Sequence, residues 1–467
     1  MYFKQIVRHD IGCAGYLLAS SAGSAAVVDP RLDMVDEILD LAKREGFSLR
    51  WVIETHTHAD HVSGHHEIAR RTGAEVAIHA DAGVAYRHRA LQHGDEIVLD
   101  DLRLRVLHTP GHRPEHIAIA AIDASRGDDP WLVLTGDSLF VGDVARPDLA
   151  IPAEEGARAL YHSLHERLLP LGDGVLLFPT HVSGSLCGRV TNQMTGSTVG
   201  FERRHNPALA IDEEEFVRFS TEGLPERPPN LARIVAFNQA ARPIVPADPL
   251  PIGPEDVAER AASGAVVLDV RSPAEFSAGH LAGSVGIDLD GGQFQNRVGL
   301  VIPAETEIII VSRDEPSARR AADGLTVIGF ERVSSYLDGG VAAWLDAGFS
   351  LATISNLPAQ ELARAIESEP DLTIVDVREQ NEWDEGHIAG AIHLPFHRIP
   401  SESGRLPSDR RLALICGGGT RSTIAASLLA GRGRRDLVNI SDGMDGWRAA
   451  GYPITVPGEA ALQASRS

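Results

Sequence analysis

The chain has 467 residues, 43 % of them hydrophobic, which is enough for about three domains with cores of their own. Its formal net charge of −22 excludes nucleic acid and anionic membrane surfaces as main partners. Small anionic substrates must then be attracted by local cations or by a metal.

The first residues, MYFKQIVRHD, hold no apolar signal-peptide core, and no run of about 18 apolar residues follows. A cytoplasmic chain with no membrane span is expected. Cys13, Cys187 and Cys416 are too few for a disulfide framework and fit a reducing compartment.

Over residues 1–240, six apolar runs each read as a buried strand ending in a polar residue: AAVVDP, WVIETH, AEVAIHA, LRLRVLHTP, WLVLTGD and GVLLFPTH. Helical periodicity lies between several of them, at RLDMVDEILDLAKREG (31–46) and GARALYHSLHERLLPL (156–171). This is the pattern of a layered α/β domain with functional residues at strand ends. A further helix is predicted at LARIVAFNQ (231–239), and a proline-rich linker near 241–253.

The remainder holds an internal repeat. Residues 266–289 match 373–396, 307–322 match 411–426, and 336–349 match 439–452, with D-V-R, G-H-x-A-G and a late tryptophan at near-constant offsets. Two copies of one α/β domain are expected, at 254–350 and 356–457. The small, polar tail after Pro457 is expected to fray.

Directly after WVIE stands H-x-H-x-D-H, made of His56, His58, Asp60 and His61. Ligands spaced this closely at a strand end lose little entropy in converging, and imidazole with carboxylate suits zinc, iron or manganese. Three further candidates each follow a strand or a tight turn: His112 in HTPGH, Asp137 in LTGD and His181 in FPTH. The order H-x-H-x-D-H, P-G-H, G-D, late His resembles the metallo-β-lactamase superfamily. The resemblance implies an αββα sandwich with metal at the top of two sheets.

GDSLFVGDVARPDL (136–149) is similar to the segment after the metal aspartate in the persulfide dioxygenases of that superfamily. By that resemblance one Fe(II) per chain would be held by His56, His112 and Asp137, a facial triad with open positions for O₂ and substrate. His58, Asp60, His61 and His181 would orient ligands or handle protons. The alternative is a binuclear zinc thioester hydrolase of glyoxalase II type, in which all seven side chains bind metal.

ICGGGTRS (415–422) lies between a strand and a helical run. A thiol at a helix start is expected to ionise easily, the glycines allow N–H groups to turn around an anion, and Arg421 adds a cation. With D-V-R-x-x-x-E-W and G-H-I-A-G-A, this segment resembles the rhodanese sulfurtransferases. The resemblance implies Cys416 as sulfur carrier, Arg421 as an anion contact, and Gly417, Gly418, Gly419 and Thr420 as backbone donors. In the first copy Ser312 and Ser317 replace Cys416 and Arg421, and Asp314 and Glu315 would repel a sulfur anion, so that copy is expected to be silent.

Cys187, in GSLCG just past His181, is expected to affect persulfide handling, and Cys13 is read as structural. GSLCG and STVGFE resemble three-domain bacterial fusions of persulfide dioxygenase and sulfurtransferase. By that resemblance the substrates are a small-molecule persulfide, O₂ and sulfite or thiosulfate, and the chain is a homo-oligomer. A third reading makes the repeat pair a docking module without catalysis, against which the intact Cys416 loop argues.

Overall fold

The structure, a computed structural model, describes residues 1–9, 12–182, 194–224, 227–242, 244 and 247–457. The chain divides into two compact units, Met1–Val245 with Val327–Gly329, and the remainder. Among the described residues no helix is long and apolar enough to cross a membrane.

The first unit carries two six-stranded sheets. One has the order β1 (Tyr2–Arg8), β2 (Cys13–Ala19), β3 (Ser24–Val28), β4 (Ser48–Ile53), β5 (Glu75–His79), β6 (Arg89–Leu91). The other is built from β7 (Glu96–Leu99), β8 (Leu102–His108), β9 (Ile117–Asp123), β10 (Leu132–Gly136), β13 (Leu176–Pro179) and β14 (Ser197–Thr198), in the order β14-β13-β10-β9-β8-β7. A hairpin of β11 (Leu139–Phe140) and β12 (Asp143–Val144) follows β10.

Strand alternation explains the layering. Tyr16, Leu18, Val28 and Ile53 from the first sheet share one buried cluster with Leu104, Ile119 and Leu134 from the second. The next residues along the same strands point the other way. Leu17, Val27 and Val52 meet Val35, Ile38 and Leu41 of the helix Val35–Glu45. Ala118, Ala120 and Val133 meet Leu160, Leu164 and Leu168. The expected αββα sandwich is therefore present, with each helical layer on an outer sheet face. The second predicted helical run differs in detail: an α-helix at Ala153–Ser163 passes into a π turn and then a 3₁₀ turn at Leu169–Leu171. Pro170 has no N–H to continue the α ladder.

The second unit holds the repeat as two five-stranded parallel sheets. The first repeat has β15 (Leu250–Ile252), β16 (Val266–Asp269), β17 (Val285–Gly286), β18 (Ile308–Val311) and β19 (Val333–Leu337), ordered β15-β19-β18-β16-β17. The second has β20 (Ser355–Leu357), β21 (Leu372–Asp376), β22 (Ile392–His393), β23 (Arg411–Ile415) and β24 (Leu437–Ile440), ordered β20-β24-β23-β21-β22. The two orders are the same, as the sequence repeat requires. β15 falls inside the stretch read as a linker. Pro251 is tolerated there because β15 is an edge strand.

Candidate metal centre and sulfur-transfer loop

The histidine cluster begins three residues beyond the end of β4, and Asp137 directly follows β10. His112 sits in the turn after β8 and His181 just past β13. Four strand ends thus deliver the candidate side chains to one edge of the sandwich. His56, His112 and Asp137, all fully buried, each place one donor atom within 4.8 Å of the others. Asp137 Oδ2 lies 3.9 Å from His56 Nε2, 3.5 Å from His112 Nε2 and 3.1 Å from His181 Nε2. Nonetheless His56 Nε2 and both Asp137 carboxylate oxygens make no well-directed hydrogen bond. Donor atoms that crowd together without bonding one another are converging on a common point, as ligands of one cation do.

Surrounding groups fix which ring nitrogen is bare. Thr55 Oγ1 donates to Asp29 Oδ2 at 2.8 Å, so toward His56 Nδ1, 3.0 Å away, it acts as acceptor. His112 Nδ1 donates to the Arg146 carbonyl at 2.9 Å. Both rings therefore present an unprotonated Nε2 to Asp137. Burial first, and then neighbouring His58, hold His56 well below the ordinary histidine range. Burial also lowers His112, with Asp137 opposing it. For Asp137 burial disfavours the charge, but His181 and His112 outweigh it and hold the carboxyl at about 2. Two neutral imidazoles and one carboxylate are the protonation states that metal ligation needs.

His58 and His61 differ. His58 Nε2 is 3.1 Å from Asp29 Oδ1 and 3.4 Å from Glu54 Oε2. Burial opposes its charge, yet Asp29 and Glu54 raise it well above the ordinary value. His61 Nδ1 lies 3.1 Å from Asp60 Oδ2, and Asp60 raises it against burial. Asp60 in turn is 3.4 Å from His181 Nε2. The seven residues read from the sequence thus meet in one place but form two chemically different sets.

The sequence reading missed four neighbours. Asp29, at a left-handed φ of 49°, accepts from Thr55 N at 2.7 Å and Thr180 Oγ1 at 3.1 Å, tying β4 to β13. Glu54 faces His58 and His65. Both are polar residues at strand ends, a feature that could have found them. Cys13, read as structural, is buried with Sγ 3.6 Å from both Asp60 Oδ2 and His181 Nδ1. His116 accepts the Asp137 N–H on Nε2 at 2.8 Å. Its Nδ1 must then carry the proton, donated toward Thr109 O at 3.1 Å. Gly136, at φ +52°, allows this close approach, since a Cβ there would lie 2.5 Å from His116 Nε2. Cys187 lies outside the described residues.

In the second repeat, Cys416 follows β23 and precedes the helix Thr420–Gly431. Its Sγ is buried and accepts the Gly419 N–H at 3.2 Å, with Ser422 Oγ at 3.4 Å. The carbonyls of Cys416 and Gly417 are held by Met444 N at 2.7 Å and Asp445 N at 3.0 Å. Across a trans peptide the N–H opposes the C=O, so the N–H groups of Gly417 and Gly418 point away from the helix Gly443–Ala449. Arg421 meets Glu382 through both terminal nitrogens, at 2.5 and 2.7 Å. The expected anion contact is therefore already neutralised by a carboxylate.

In the first repeat, the Ser312 hydroxyl donates to Asp314 O at 2.7 Å, and Asp314 Oδ1 accepts Ser317 N at 2.8 Å. A carboxylate of the chain itself occupies the helix start that the second repeat leaves to a thiol and its donors. Glu275, the counterpart of Glu382, is paired at 2.5 Å by Arg313 from the loop.

Comparison with known proteins matches this geometry. The metallo-beta-lactamase superfamily matches residues 11–181, and the rhodanese-like domain matches 253–347 and 358–450. The chain is 30 % identical over 216 residues to the mitochondrial persulfide dioxygenase ETHE1 of Homo sapiens, covering 44 % of this chain and 74 % of that protein. It is also 30 % identical over 239 residues to a probable metallo-hydrolase of Burkholderia pseudomallei, covering 44 % and 80 %. A solved metallo-beta-lactamase from Staphylococcus aureus, 28 % identical, superposes with a TM-score of 0.65 over 72 % of this chain and 98 % of its own. The chain belongs to the metallo-beta-lactamase superfamily, with persulfide dioxygenases among its homologues, fused to two tandem rhodanese-like domains.

Proposed function

We propose that the chain oxidises a low-molecular-weight thiol persulfide to sulfite and thiol with one Fe(II), and that Cys416 transfers sulfur to give thiosulfate. The assignment of parts is 1–240 as persulfide dioxygenase, 254–350 as a silent rhodanese domain and 356–457 as an active one, in a reducing cytoplasm. The observation that carries the reading is the buried convergence of His56, His112 and Asp137, while His58 turns its Nε2 to Asp29 and Glu54. Similarity to persulfide dioxygenases at 30 % identity supports the choice of substrate.

Those three residues would hold the iron. Bound there, Fe(II) supplies a redox route between ground-state O₂ and closed-shell sulfur, which a filled-shell zinc ion lacks. Thr55 and the Arg146 carbonyl keep the two imidazoles oriented, and His116 holds the backbone of Asp137. His58, between two carboxylates, keeps a proton that opposes a second metal. The balance is RSSH + O₂ + H₂O → RSH + SO₃²⁻ + 2 H⁺. In the second repeat the Cys416 thiolate takes the outer sulfur of a second RSSH, releasing RSH. Sulfite then attacks that sulfur, the S–S bond to Cys416 breaks, and thiosulfate leaves as the thiolate returns.

Iron-loaded protein should take up O₂ only when a defined persulfide is added, one O₂ per sulfite or thiosulfate formed. Full competence with zinc alone, or thioester cleavage by a two-zinc form, would overturn the reading.

A further inference from the structure

Arg421 is spent on Glu382, so the charge that receives a sulfur oxyanion beside Cys416 must come from elsewhere. The first repeat packs against elements of the second that flank its Cys416 loop. The helix Phe294–Val301 contacts the turn Phe396–Arg398, and β17 lies along the helix Thr420–Gly431 that starts at the Cys416 loop. Gly286 N donates to Ser427 Oγ on that helix at 3.2 Å. This packing places Arg297 of the first repeat within electrostatic reach of both Cys416 and Arg421.

Arg297 is half-buried. Its guanidinium donates to a neutral carbonyl, Gly291 O, at 3.2 Å, and among the described residues it has no carboxylate at salt-bridge distance. Burial weighs against its charge, Arg421 adds to that, and Cys416 and Asp288 act the other way. It is a cation without a paired carboxylate, on the repeat that packs beside the Cys416 helix, in a chain whose overall field repels anions. Such a group costs least when an anion visits it.

We propose that the first repeat completes the sulfur-transfer site of the second, with Arg297 as the binding residue for the dianionic acceptor or donor, sulfite or thiosulfate. This rests on Cys416 being the sulfur carrier. The first repeat, without a nucleophile of its own, is then part of the neighbouring site.

The test uses the full-length chain. In sulfur transfer from thiosulfate to cyanide, Arg297→Gln should raise the KM for thiosulfate about tenfold and change kcat less than about threefold. Arg297→Lys, which keeps the charge, should recover most of that loss. A merely structural residue would lower kcat and thermal midpoint together and would not be rescued by lysine. Thiosulfate binding to Cys416→Ser protein, followed by calorimetry, needs no turnover and should weaken about tenfold when Arg297→Gln is added. A KM and a Kd both within twofold of the parent would overturn the role of Arg297. A parent chain that moves no sulfur, yet binds thiosulfate through Arg297, would overturn Cys416 and leave Arg297 standing.

Discussion

The two repeats offer a comparison of one glutamate paired with arginine in two settings. Glu382 and Glu275 stand at equivalent positions, but their partners do not: Arg421 lies in the first turn of its helix, whereas Arg313 stands where the second repeat has Gly417. The first pair is 28 % and 20 % exposed, with two contacts at 2.5 and 2.7 Å. The second is 39 % and 48 % exposed. Breaking a fully buried pair costs about 3–5 kcal/mol, and an exposed pair is worth about 0–1 kcal/mol. Glu382→Gln should therefore cost about 2 kcal/mol, and Glu275→Gln less than about 1 kcal/mol. Hydrogen exchange read over peptides from 411–450 and 308–347 separates the two domains, which a single unfolding curve of a multidomain chain does not. Acidification gives a second reading. Burial would raise Glu382, but Arg421 outweighs it and holds its pKa below the usual 4.5. A depressed carboxylate stabilises above its unfolded pKa, and the contribution fades as pH falls below that value. Protection over 411–450 should fall on acidification below about pH 4.5 in the parent and less in Glu382→Gln. Equal losses from the two substitutions, or a larger one at Glu275, would refute the assignment of strength by burial.

Cys416→Ser should keep persulfide-dependent O₂ uptake and release sulfite in place of thiosulfate, as product analysis would show. Asp137→Asn should lower bound iron at least tenfold by elemental analysis, whereas His58→Ala should leave about one iron per chain. Gly443→Ala should abolish sulfur transfer, because φ is +55° there and a Cβ would lie 2.2 Å from Gly417 O, the carbonyl that orients the loop. Burial first and His112 second hold His116 at about 4, against 6.5 in the unfolded chain. Chelated protein should thus be fully stabilised by this group above pH 6.5 and lose roughly 3 kcal/mol as pH falls to about 4. Thermal midpoints across that range check it.

What was legible in the sequence was whatever depends on period and on local order. The six apolar runs became strands β3, β4, β5, β8, β10 and β13, and the D-V-R and G-H-x-A-G offsets gave two copies of one sheet. Metal-site residues were legible because they cluster at strand ends. Asp29, Glu54 and His116 were not singled out, and Cys13 was read only as structural, because what marks each is a partner far away in the chain. Cys13 and His181, for example, are 168 residues apart. Arg297 could not be read for the same reason: nothing in QNRVGL says which part of the second repeat its helix meets. The pairing of Arg421 with Glu382 was hidden too, since the sequence shows a cation near a thiol and not how that cation is spent.

The frame common to the repeats shows where the chemistry resides. Arg271 and Arg378 each bind their own D-V-R aspartate and donate onward, at 2.8 and 2.9 Å, to the carbonyls of Gly279 and Gly386. Trp344 and Trp447 donate to equivalent carbonyls at 3.1 and 3.0 Å. These contacts hold strands and turns and are alike in both copies. The copies part at one loop. There a thiol that accepts a backbone N–H gives way to a serine, and Asp314 takes the helix start for itself. Folding energy therefore does not separate the two copies; the use of a few loop N–H groups does. A copy whose loop is closed by its own carboxylate has no room for a sulfur anion, but its outer faces remain available to pack. The contact of β17 and the helix Phe294–Val301 with the second repeat uses those faces. The serine at position 312 does not touch that packing surface, and so leaves the placement of the helix that carries Arg297 unchanged.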